Sequence, residues 1–138
     1  MPLETMASAS GVVRAARQAG LRGPVSARRV FEAAAAGDVR AAAVVAEEAR
    51  LIAKAIGVIV TVVDPELIVL GGGIGQAPGF ADLVRSELDR IAPVMPLIQV
   101  SALGTDAVVD GCLAAGAELA WGQVINVLAN TAPSLAGV

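Results

Sequence analysis

The chain has 138 residues, with 10 Lys and Arg against 13 Asp and Glu, a formal net charge of -3, no histidine and a single cysteine, Cys112. That length suits one domain with one core. The absent histidine and lone cysteine exclude an intrachain disulfide, a Ser-His-Asp or Cys-His nucleophile within this chain, and the commonest metal ligand, while the acidic balance argues against direct nucleic-acid contact.

Hydrophobic residues make up 56% of the chain and aromatics only 2%. The core must therefore be built from Ala, Val, Leu and Ile, which favours closely packed helices on a small sheet. Residues 1–20 alternate Ala with Arg and show no secretory signal. The apolar run Ala55 to Val63 is too short to span a bilayer. A soluble, cytoplasmic protein without a membrane partner is the expectation.

In chain order, a first helix is predicted from about Ser8 to Ala19, stopped by Gly20. Ser26 is placed to cap a short helix, Ala27 to Ala36, ended by Gly37. Asp38 caps a long helix from Val39 to about Val63, where Asp64-Pro65 ends it. Val44, Val45, Ile52, Ile56 and Ile59 share its inner face, with Glu47, Glu48, Arg50 and Lys54 mostly off it. Its end, Ile56 to Val63, is apolar all round and is expected to be deeply buried. Arg14, Arg17, Arg22, Arg28, Arg29, Arg40 and Arg50 are spread among Glu and Ala and read as solvated helix faces.

Glu66 to Leu70 is the first strand. A helix follows from Pro78 to Ala92, with Leu83, Leu88 and Ile91 inward. Leu97 to Leu103 is the second strand, and a last helix starts near Ala107. Cys112 sits in that apolar helix and reads as a small buried hydrophobe. Strand, helix, strand, helix at this spacing is a right-handed βαβ unit with parallel strands. Two parallel strands make a poor sheet alone. Either a partner chain or more of a longer chain would complete it.

The stretch Asp64-Pro65-Glu66-Leu67-Ile68-Val69-Leu70-Gly71-Gly72-Gly73-Ile74-Gly75 carries the functional signal. A buried strand that ends in glycines exposes bare backbone where ligands sit in open α/β sheets. No Gly-Lys-Ser/Thr follows, so this is not a P-loop, and Gln76 stands where a dinucleotide fingerprint needs its third glycine. The turn is either a nucleotide contact or a tight strand-to-helix connection. The carboxylates offer no clear base. Asp64 reads as a helix-ending cap, Glu47 and Glu48 as solvated, and Asp106 and Asp110 as i, i+4 neighbours favoured by the helix dipole.

The order Asp-Pro-Glu, apolar strand, Leu70-Gly71-Gly72-Gly73, helix, second strand ending Ala102-Leu103-Gly104 and closing Ala/Gly-rich helix resembles the C-terminal half of the ROK family. Leu3-Glu4-Thr5-Met6-Ala7-Ser8 is similar to the family's Cys-Leu-Glu-x-x-x-Ser, and Val30 to Asp38 resembles its stretch before the long helix. The resemblance runs from about Leu3 to Trp121. It implies an α/β, helix-rich C-terminal portion of an actin-like ATPase fold, with a partial domain over residues 1–121 and a helical extension or frayed tail over 122–138.

ROK proteins are sugar kinases and sugar-responsive repressors. The resemblance implies that Glu4 helps bind sugar hydroxyls and that Gly71, Gly72 and Gly73 lie beside the nucleotide. The family's catalytic aspartate, phosphate loop, sugar motif and zinc cysteines match nothing here, and Met1-Pro2 stands where the last zinc cysteine would be. No catalytic residue, metal ligand or cofactor is therefore expected in this chain, although the family uses ATP, Mg and structural zinc. The implied partners are a sugar or sugar phosphate in the whole protein and a second copy of the chain. Val108 replaces a glycine of the kinase pattern at the last turn. With Pro93, it favours the effector domain of a transcriptional regulator lacking its DNA-binding part. The alternative is the C-terminal half of an ATP-dependent sugar kinase, inactive as this fragment.

Overall fold

The computed structural model describes residues 7–23, 25–104 and 106–131. The chain divides after Gly104 into two units.

The first unit opens with three helices, each started by a side chain the sequence places there. In α1 (Ala9–Gln18), Ser8 Oγ accepts from the Gly11 N–H at 3.2 Å. In α2 (Ala27–Ala35), Ser26 Oγ accepts from the Arg29 N–H at 3.3 Å. In α3 (Val39–Val63), Asp38 Oδ1 accepts from the N–H groups of Arg40 and Ala41 at 2.8 and 2.9 Å. Such caps satisfy orphan donors of the first turn. At the far end of α3, Asp64 adopts the left-handed region at φ 49. Pro65 disfavours a helical residue before it, and aspartate tolerates this conformation better than most.

The core is one stripe on α3 against which α2 and α5 (Phe80–Asp89) pack. Ala41, Val44, Val45, Ala49, Ala53, Ile56 and Val60 are buried along it. The small residues let helices approach. A methyl on Gly57 would already be in van der Waals contact with Leu88 Cδ1 and Ile91 Cδ1, at 3.8 and 3.6 Å. The two phenylalanines meet edge to face, Phe31 of α2 on Phe80 of α5, with centroids 5.4 Å apart.

Several expectations change here. Only Ile56 and Val60 are buried at the end of α3, whereas Val58, Ile59, Val62 (79% exposed) and Val63 are exposed. Neighbouring elements cover one side of that apolar segment. Leu88 is buried as expected, but Leu83 and Ile91 are exposed, and α5 buries Phe80, Ala81 and Val84 beside Leu88. The helix starts at Phe80, after Gly79 at φ 75, and the i, i+4 row from Phe80 faces α3. Glu48 is not solvated: it lies on the buried stripe and is 4% exposed. Glu47, one residue earlier, faces out and pairs with Arg50.

Strands β1 (Leu67–Leu70) and β2 (Leu97–Val100) pair in parallel, Leu67 opposite Leu97 and Leu70 opposite Val100. They are shorter than expected, but bonds from Leu97 N–H to Glu66 O (2.9 Å) and Ser101 N–H to Leu70 O (2.8 Å) extend the ladder by a residue at each end. The crossover runs through α4 (Gly72–Gly75) and α5. Arg85 of α5 donates to the Ile98 carbonyl at 2.6 Å, tying the helix to β2. One sheet face, with Ile68, Leu70 and Ile98, packs on the core. The other, with Leu67, Val69 and Leu97, is exposed.

Among its described residues the second unit is one helix, α6 (Ala107–Thr131). Cys112 is exposed on it, not buried as expected, because the residues of this helix pack into no core of their own. Among the described residues, Ala107–Asn130 is long and apolar enough to cross a membrane by length and composition, a run that Asp110 and Glu118 interrupt.

Burial pushes the Glu48 carboxyl up from 4.5 to about 7. The folded state thus holds a proton that the unfolded state releases, so this group's contribution to stability is full below pH 4.5, falls as pH rises, and is lost above about 7. Relaxation and water penetration around a buried carboxyl reduce the cost of ionising it, so the penalty at pH 8 is about 2 kcal/mol. Glu48→Gln should raise stability at pH 8 by about that amount and leave it nearly unchanged at pH 4. Urea denaturation at the two pH values checks this.

Candidate functional site

The site candidate is the pair of turns that close the two parallel strands. After Leu70 the backbone stays extended through Gly71 (φ -117, ψ -179), then turns at Gly72 with φ 70. That φ favours glycine. The single turn α4 follows, and its last residue, Gly75, is buried. A methyl there would lie 2.9 Å from the Leu70 carbonyl carbon and 3.2 Å from Leu70 Cβ. Gly75 is thus required by close approach of the turn to the strand it has just left. Gly73 differs, since nothing lies within 4 Å of a methyl built on it.

The second turn follows β2. Ser101 Oγ accepts from the Leu103 N–H at 3.2 Å, and Gly104 sits at φ 65. The two turns touch. A methyl on Gly71 would lie 3.8 Å from Ser101 Cβ. Gln76, just past α4, donates from Nε2 to the Gly104 carbonyl at 2.6 Å across 28 residues of sequence. Gly71, Gly72 and Gly73 are therefore brought beside the Ser101–Gly104 turn at the C-terminal ends of the strands, where open α/β sheets bind ligands. In the sequence Gln76 stands out only as a mismatch to a dinucleotide fingerprint. Its signal was a long amide side chain at the exit of one turn, with a glycine-ended turn after the parallel strand.

Neither turn carries a titratable side chain. The arrangement offers backbone and space to a ligand and no group for proton transfer. Glu4 lies outside the described residues. Among the described residues, no group of three or more His, Cys, Asp and Glu could hold a metal ion. A separate cleft of about 650 Å³, lined by Gly20, Leu21, Arg22, Arg29 and Arg40 among others, includes none of the glycines of the Gly71–Gly73 turn.

The two glycines make a paired test. Gly75→Ala should destabilise the fold by about 2 kcal/mol or more, because the clash is with strand backbone. Gly73→Ala should stay within about 0.5 kcal/mol of the parent. Equal losses in thermal denaturation would contradict this assignment of roles.

The chain is 44% identical over 110 residues to the bifunctional enzyme NanE/NanK of Brucella melitensis, covering 79% of this chain and 21% of that protein. It is 37% identical over 76 residues to the N-acetylmannosamine kinase of Yersinia pestis, covering 55% of this chain and 26% of that one. Among solved structures, the ROK hexokinase of Thermus thermophilus superposes with a TM-score of 0.67 at 31% identity, over 76% of this chain and 36% of that chain. The chain thus spans about a fifth to a quarter of these curated relatives. The model of the ROK family matches residues 2–121, reaching through Trp121 of α6. The chain belongs to the ROK family.

Proposed function

We propose that this chain is the C-terminal, nucleotide-side part of a cytoplasmic ROK sugar kinase whose substrate is an N-acetylated or simple hexose. The observation that carries the reading is the pair of cross-bonded turns at the ends of two parallel strands, Gly71–Gly75 and Ser101–Gly104, in a chain related to kinases. Gly71, Gly72 and Gly73 present backbone to the nucleotide, and Glu4 contributes to the sugar side. The regulator reading rests on Val108 and Pro93 in the sequence. Three relatives named as kinases, or as carrying NanK, outweigh these two residues.

Phosphoryl transfer needs a positioned base, a phosphate clamp and a metal site. The described residues hold no metal-ligating cluster, and the turns hold no base. The part played by these residues is to cradle the nucleotide, and the chemistry requires groups from the rest of a kinase. A non-hydrolysable ATP analogue should shift the amide resonances of Gly71–Gly73 and Ser101–Gly104. N-acetylmannosamine alone should not, and the chain with ATP and N-acetylmannosamine or glucose should show no turnover. Turnover by pure material, or shifts confined to other residues, would count against the reading.

The exposed apolar face formed by Leu67, Val69 and Leu97, with Val58, Val62 and Val63 exposed on α3, supports self-association of the isolated chain. Sedimentation velocity should show dimers or larger species at tens of micromolar, and a monomer throughout would refute it.

A further inference from the structure

We infer that Gln76 is a positioning residue for nucleotide binding: its side-chain amide holds the Ser101–Gly104 turn at a fixed distance from the glycine turn. The inference rests on the nucleotide-side reading given above. The bond itself stands independently of that reading, with Nε2 donating to the Gly104 carbonyl at 2.6 Å.

The geometry narrows what can do this. Gln76 leaves α4 directly, its own N–H bonded to the Gly72 carbonyl at 3.1 Å, so its backbone is fixed to the glycine turn. Gly104 ends the second turn with φ 65. That turn is held at its start by the bond from Ser101 N–H to Leu70 O and inside by the bond from Leu103 N–H to Ser101 Oγ. Gly104, at the far end, has Gln76 as its tie to the glycine turn. The two turns are therefore fastened at two places, by the ladder at the strand ends and by Gln76 at the outer edge. A ligand lying across both turns meets them at a separation that this amide helps to set. Asparagine is a methylene shorter. Glutamate has the length but, when ionised, turns an acceptor toward an acceptor. Methionine has similar length and no N–H.

Free turns sample many separations and bind a ligand more weakly, because ordering them costs free energy at the moment of binding. A prefastened opening lowers that cost. Gln76 touches neither reacting atoms nor a proton in transit, so its effect must appear in binding and in the motion of the second turn.

The test uses the 138-residue chain and its Gln76→Met and Gln76→Glu variants. The first readout is amide hydrogen exchange without ligand. Both variants should speed exchange at Leu103 and Gly104 by about tenfold relative to parent and leave Val69 and Leu70 unchanged. The second is affinity for a non-hydrolysable ATP analogue, which should fall about three- to tenfold in both variants at pH 8. At a pH low enough to protonate the new carboxyl, Gln76→Glu should recover toward parent while Gln76→Met does not, since a protonated carboxyl can donate to the Gly104 carbonyl. A Gln76→Met chain that exchanges and binds like parent overturns the inference, because the side chain would then only fill space. A parent chain that does not bind the analogue overturns the nucleotide-side reading and Gln76's role in it, and the exchange data tell the two failures apart.

Discussion

The packing of α3 against its neighbours is the constraint on which the first unit depends. Its buried stripe is unusually fine-grained, with Ala41, Ala49 and Ala53 alternating with valines and Ile56. Small side chains let α2 and α5 come close, and close approach sets where α5 lies. Phe80 then anchors the start of α5 on Phe31, and Arg85 ties its middle to β2. The crossover helix thereby fixes the second strand relative to the first. The glycine turn sits between β1 and α5, so its geometry follows from packing that begins on α3.

At the turn itself, covalent economy and function pull the same way. Gly75 must lack a side chain because the chain folds back onto Leu70. Gly72 must reach φ 70 for the reversal. Gly73 meets neither demand, since a methyl there would touch nothing. A glycine kept where the fold does not need one is a place where a ligand's close approach would explain it. The cluster is thus divided between Gly72 and Gly75, which the turn requires, and Gly71 and Gly73, which neither φ nor a close contact requires.

What was legible in the sequence followed from local chemistry. Ser8, Ser26 and Asp38 start helices because their side chains accept from the backbone two or three residues on, a relation contained within the sequence itself. Gly20 and Gly37 stop helices because they reach positive φ. The parallel βαβ unit was legible for the same reason: spacing and handedness leave little choice. Burial was less legible, because it depends on what packs against a helix. Glu48 is covered although a hydropathy pattern favours solvent for it, since the 3.6-residue period carries the stripe from Val44 and Val45 through position 48 to Ile52. Val62 and Val63 are exposed although the same pattern favours the core. At the site, Gly71 to Gly73 were visible as a motif, whereas the tie from Gln76 to Gly104 spans 28 residues and depends on strand register. No local pattern encodes it.

The distribution of polar groups explains how the two adjoining turns form without a titratable side chain. Residues 71–76 and 101–104 lie on either side of one crossover, so a single βαβ unit is enough to bring them together. Nothing in that arrangement requires a titratable group, and neither turn has one. A base, a phosphate clamp and metal-ligating carboxylates must instead converge on the transferred group from several elements. Such convergence is a property of a whole active site. A backbone cradle is a property of one turn and its neighbour. The half-covered sheet makes the same point energetically: Val69, at 55% exposure in a parallel strand, has an environment suited to one side of a larger assembly.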